Sequence, residues 1–80
     1  MYFRIIYGNN IRMNKFAERL TETMRAINIT KAELARRVGI SEDMVYDYCK
    51  GRGNPSLDIL ILICNELDET SDYLIGRTNS

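Results

Sequence analysis

The segment TKAELARRVGISEDMVYDYCKG, residues 30–51, constrains the fold more than any other part of the chain. Thr30 is a helix-capping residue. Glu33, three positions later, completes a capping box ahead of Leu34, Ala35 and Val38, which share one helical face. Gly39 then supplies a left-handed turn, and Ser41 is placed to cap a second helix that runs to Gly51. So short a link makes the two helices leave the turn as packed neighbours. Steps of three and four residues put Val45, Tyr48 and Cys49 inward, and Glu42, Asp43, Tyr46, Asp47 and Lys50 outward.

Helical signals continue on both sides. Ala17, Leu20, Met24 and Ile27 recur at three and four with Phe16 beside them, which predicts a helix capped by Asn14 and stopped at Asn28, after which Ile29 packs back. Beyond the central segment, GRGNP is a loop of turn formers, and Ser56 caps LDILILICNEL. Thr70 caps a last short helix over 71–75 that stops at Gly76. Residues 13–80 therefore read as one all-α domain; a chain this short buries only about 60% of its unfolded surface and has no room for a second core. Residues 1–12, MYFRIIYGNNIR, read as a short extended segment, Tyr2 to Tyr7, followed by a turn. A lone strand is unstable without a partner, which leaves two readings open. One is a tail, including translation from a start upstream of Met13; the other is an arm that pairs with a second subunit.

Composition removes several classes of function. There is no His and no Trp, and Cys49 and Cys64 lie too far apart for a metal constellation or redox pair, so no metal or other cofactor is expected. Ser41 and Ser56 read as caps, and no spacing suggests a nucleophile beside a base, so an enzyme is not expected. A single helical domain leaves no separate ligand-binding unit, and we expect no small-molecule ligand. The first residues are too short an apolar run for a secretory leader or membrane span, which points to a reduced, cytoplasmic protein. Eleven basic and eleven acidic residues cancel, so any attraction to nucleic acid is local rather than global.

Ala35, Gly39 and Val45 have the spacing of a helix-turn-helix: a small residue lets the helices approach, glycine makes the turn, and an aliphatic side chain locks the second helix. With FAERL, ITKAELARRVGIS, VYDYCKGRGNPSLDIL and SDYLIGR in order, the chain resembles the phage repressor and Cro-like helix-turn-helix family over residues 14–77. The resemblance implies a five-helix, lambda-repressor-like DNA-binding domain, a homodimer on a double-stranded operator with two half-sites, and transcriptional control, usually repression. It also implies that the second helix of the motif lies in the major groove. Its base-reading positions are then Ser41, Glu42, Asp43 and Asp47, with Tyr46 as an additional contact. Lys31 stands where the family usually has a phosphate-binding Gln. Lys50, Arg52 and Asn54 stand where the family's next loop touches the DNA backbone.

Two features depart from the family pattern. Met24 and Cys49 replace an Arg and a Glu that the family pairs in its interior. Exchanging a whole buried ion pair for packed apolar groups is often neutral or stabilising, whereas losing one member costs about 3–5 kcal/mol, so the joint change predicts a Met24–Cys49 contact. The other departure is the acidic reading face. Residues 30–52 carry five basic side chains against four acidic ones, and with so little phosphate neutralisation we expect weak non-specific DNA binding. Carboxylates still read sequence by accepting a hydrogen bond from cytosine N4 and penalising acceptor-rich guanine edges. The plainer explanation is that Glu42 and Asp43 complement the helix dipole in the first turn; Asp47, one turn after Asp43, is not explained that way. The competing function is a protein-interaction module, antitoxin or antirepressor-like, that keeps the fold but has lost DNA binding.

LDILILICNEL has more apolar residues than one core face needs. Leu57, Leu60, Ile61, Cys64 and Leu67 make one stripe, which we assign to the core. Ile59, Leu62 and Ile63 lie largely opposite, and we expect them to form a homodimer interface to which Tyr2 to Tyr7 add.

Overall fold

Four of the five helices start directly after a hydroxyl residue, and the first starts after Asn14. In the computed structural model, which describes residues 14–77, α1 spans Lys15–Ala26, α2 Lys31–Val38, α3 Glu42–Lys50, α4 Leu57–Leu67 and α5 Ser71–Leu74. Thr30, Ser41, Ser56 and Thr70 each accept a hydrogen bond from the backbone N–H three residues on, at 3.0, 3.1, 3.3 and 3.1 Å. Each bond satisfies a donor that a helix N-terminus otherwise leaves orphaned. The extended segment expected over residues 1–12 lies outside the described residues.

All five helices end alike. An N–H beyond the helix reaches back to a carbonyl five residues earlier: Ile29 to Met24, Ile40 to Ala35, Arg52 to Asp47, Glu69 to Cys64 and Arg77 to Asp72, at 2.8–3.0 Å. The turn needs one left-handed residue, and Asn28, Gly39, Gly51, Asp68 and Gly76 supply it. Gly39 and Gly51 are the two in the central hairpin, with φ of 86° and 77°.

Each helix contributes one side chain with no exposed surface: Leu20, Leu34, Val45, Ile63 and Leu74. Around them pack Met24, Val38, Leu67 and an edge-to-face pair of Phe16 and Tyr48 with ring centroids 6.2 Å apart. α2 lies against both α3 and α4, α1 against α3 and α5, and α4 against α5. Polar ties reinforce two of these joints. Arg19 of α1 donates to the Tyr73 carbonyl at 2.8 Å and lies 4.5 Å from that residue's ring centroid. Arg37 of α2 pairs with Glu33 on its own helix and with Glu66 of α4 at 3.7 Å.

The Met24–Cys49 contact is present, with Cys49 Sγ 3.9 Å from Met24 Sδ. Cys64 is also free, and burial, followed by the nearby Glu69 carboxylate, pushes its thiol pKa up.

Three expectations are corrected. Asn14 makes no side-chain cap; its Nδ2 instead donates to the Gly51 carbonyl at 3.3 Å, tying the start of α1 to the end of α3. Ile27 is exposed, because α1 ends at Ala26 before that turn reaches the core. The largest correction concerns α4. Ile63 is fully buried and Ile59 packs against the core, so neither belongs to an outward face. Leu57, Ile61 and Leu62 are the exposed apolar residues there, at 77%, 55% and 43% exposure. Packing against α2 and α5 selects the 60, 63, 64 and 67 side as the inner one.

Candidate nucleic-acid interface

α3 is held from behind and open in front. Val45 and Tyr48 lock its inner side into the core, while Glu42, Asp43, Met44, Tyr46 and Lys50 are exposed and Asp47 is half-exposed. Ser41 starts the helix by accepting from the Met44 N–H, which leaves its own hydroxyl hydrogen available as a donor. Glu42 and Asp43 occupy the first turn, where the partial positive charge of the helix terminus favours carboxylates. Met44 was not singled out from the sequence; its outward position follows only from the final phase of the helix.

The C-terminal end of α3 gathers four of the expected site residues. Asp47 Oδ1 lies 3.6 Å from Arg52 Nη1. The Tyr46 ring centroid is 5.4 Å from Lys50 Nζ and 5.6 Å from Arg52 Cζ, within the range of a cation–π contact. The turn at Gly51 brings these groups together, because the Arg52 N–H bonds the Asp47 carbonyl at 2.9 Å and so returns residue 52 to the last turn of the helix.

Lys31 sits elsewhere, half-buried at the start of α2. It shares a groove with Arg25 and Glu42, above a floor that includes Met24, Ile29 and Cys49. Arg25 was missed by sequence reading; the turn at Asn28 between α1 and α2 leaves it on the same groove as Lys31. Asn54 is exposed and lines a different recess, with Asn14, Phe16, Leu60 and Ile75. Of the basic residues in the hairpin, Arg37 is engaged by two carboxylates and Arg36 is exposed.

An exposed second helix backed by a capped, glycine-turned partner is the architecture of a helix-turn-helix domain. The helix-turn-helix family pattern matches residues 20–74, and the chain belongs to that family. Among its relatives is the cryptic phage CTXphi transcriptional repressor RstR of Vibrio cholerae, 38% identical over 63 residues, which are 79% of this chain and 56% of that protein. Another is YobD of Bacillus subtilis, an uncharacterised HTH-type transcriptional regulator, 28% identical over 64 residues, 80% of this chain and 57% of that protein. The chain thus spans a little over half the length of these relatives. The fold is similar to that of the restriction-modification controller protein C.AhdI from Aeromonas hydrophila. The TM-score is 0.72 at 27% identity, over 79% of this chain and 96% of that one.

Proposed function

We propose that this chain is a DNA-binding transcriptional regulator, acting as a repressor on an inverted-repeat operator in the cytoplasm. The observation that carries the reading is the division of α3 into a buried inner side and an exposed outer side of hydrogen-bonding groups. In this reading α3 enters the major groove. Ser41 donates to a base acceptor; Glu42 and Asp43 accept from cytosine N4 or adenine N6; Met44 and Tyr46 meet thymine methyl groups. Lys31, with Arg25 beside it, binds one stretch of backbone, and Lys50, Arg52 and Asn54 bind another. Kinship with a phage repressor supports the regulatory role.

The regulator works as a homodimer, joined through the exposed face of α4. Leu57, Ile61 and Leu62 form that contact, a revision that keeps only Leu62 of the residues first assigned to it. Apolar side chains this exposed on one helix are stabilised by a second copy's matching surface, and two-fold symmetry then presents two α3 helices to two half-sites.

The test is selection of the purified protein on a random duplex library at two salt concentrations. We expect enrichment of an inverted repeat bound more weakly at high salt. No enrichment, with no duplex binding at low salt, would favour the protein-interaction module, for which the exposed Glu42 and Asp43 carboxylates are the supporting feature.

A further inference from the structure

Asp47 is the one acid on α3 that neither capping nor the helix dipole accounts for. It lies beyond the first turn, one turn from the like charge of Asp43. Its carboxylate faces Arg52, at 3.6 Å, and the Gly51 turn holds residue 52 in that place through the Arg52 N–H bond to the Asp47 carbonyl. The guanidinium is further positioned by the Tyr46 ring. Lys50, the other cation on that ring, makes no ion pair among the described residues. The two cations at this end of the reading helix therefore differ: Lys50 is available to a phosphate at once, and Arg52 already has an anionic partner.

Resting on the DNA-binding reading, we propose that Asp47 is a specificity gate: it stands in for phosphate on Arg52 and gives Arg52 up only where a base offers Asp47 a donor of its own. On an arbitrary sequence, bringing Arg52 to the backbone leaves the Asp47 carboxylate unpaired against a polyanion, so the exchange has no net advantage. Where cytosine N4 or adenine N6 faces Asp47, both members of the pair gain new partners at once. Because the pair is exposed and therefore weak, a phosphate is able to displace the carboxylate. Base reading by Asp47 and backbone contact by Arg52 become one event, and a nearly neutral motif discriminates without needing high affinity.

The test is a double-mutant cycle of Asp47→Ala, Arg52→Ala and both. It is read as the salt dependence of binding to a mixed-sequence duplex of about 20 base pairs and to the duplex recovered by selection. Both sites are solvent-exposed, and unchanged thermal unfolding serves as the folding control. On the mixed duplex the wild type and Arg52→Ala bind with equal salt slopes, because Arg52 is not engaged. Asp47→Ala binds several-fold more tightly with a slope steeper by about 0.9, the value of one extra phosphate contact, and the double variant loses that gain. On the selected duplex Arg52→Ala in the wild-type background flattens the slope by about the same 0.9.

A flatter slope for Arg52→Ala on the mixed duplex overturns the gate, as does a gain from Asp47→Ala that persists without Arg52, since the carboxylate then merely repels DNA. Equal binding by wild type and Asp47→Ala on both duplexes overturns the gate and leaves the regulator reading standing. Failure of every form to bind any duplex overturns both.

Discussion

Helices α3 and α4 are alike in length, both start on a serine, and both bury one side in the same core, yet they meet solvent with opposite chemistry. α3 shows carboxylates, an amine and a tyrosine; α4 shows Leu57, Ile61 and Leu62. A charged face gains by exchanging counterions and is sensitive to salt, whereas an apolar face gains by shedding water and is not. Under the proposed function, occupancy of the first surface tracks ionic strength and occupancy of the second tracks protein concentration.

That contrast is sharpest inside α4, where adjacent residues fall on different sides. Replacing Ile63 by Ala removes a fully buried side chain and should cost about 3 kcal/mol, measured by urea unfolding, while Ile61→Ala should change the stability of the monomer, read at a protein concentration below self-association, by less than about 0.5 kcal/mol. Equal losses would mean the two sides of α4 are not distinct.

The inner side of α3 is tested through its sulfur contact. Met24→Arg alone places a cation against an apolar partner and is expected to destabilise by about 3 kcal/mol, while the added Cys49→Glu recovers more than half of that loss. If the double variant were as unstable as the single, the position would not accommodate an ion pair.

For the outer side of α4, the Ile61→Asp and Leu62→Asp double variant should raise the dimer dissociation constant at least about tenfold in sedimentation equilibrium, in keeping with the roughly 1.5–3 kcal/mol that burial of one such side chain contributes. Added salt should leave self-association unchanged but weaken duplex binding; a common salt response would erase the distinction between the helices.

Smaller effects concern how α3 is started and what surrounds it. Ser41→Ala removes the cap and should cost about 1 kcal/mol in thermal or chemical unfolding. Least affecting stability, thiol alkylation near neutral pH should modify half-buried Cys49 before Cys64, since burial shields Cys64 and holds its thiol protonated to higher pH. Mass spectrometry of partly labelled protein reads the order.

What the residues reveal in advance follows from how far each one's partner lies. The serine and threonine caps act on a backbone group three residues away, so these four caps were legible together with their helix starts, and α1 also starts just after Asn14 as expected. Asn14 failed as a cap because its partner, Gly51, is 37 residues distant. The Asp68 turn at the end of α4 was not anticipated, since a left-handed aspartate carries a weaker signal than glycine. The phase of α4 was misread for a different reason. Asp58, Asn65 and Glu66 recur at seven and eight on the exposed side of α4, together with Ile61 and Leu62, but with apolar residues at eight of eleven positions the apolar count outweighed that polar signal; contact with α2 and α5 settles the phase. At the interface, the outward set on α3 other than Met44 was legible from helical period, whereas the Asp47–Arg52 pair depends on the turn that folds residue 52 back, and the placing of Arg25 and Lys31 on one groove depends on how the chain turns between α1 and α2.

Consider, last, the place of α2, which touches both α3 and α4 and carries the Arg37 link to Glu66. It is the bracket between the helix proposed to read DNA and the helix proposed to join two copies. In the proposed two-fold pair any tilt at that bracket is repeated by the rotation in the second subunit, so its effect on the distance between the two α3 helices is doubled. In that pair the span between half-sites would be written into a helix whose packing is against α3 and α4 of its own subunit.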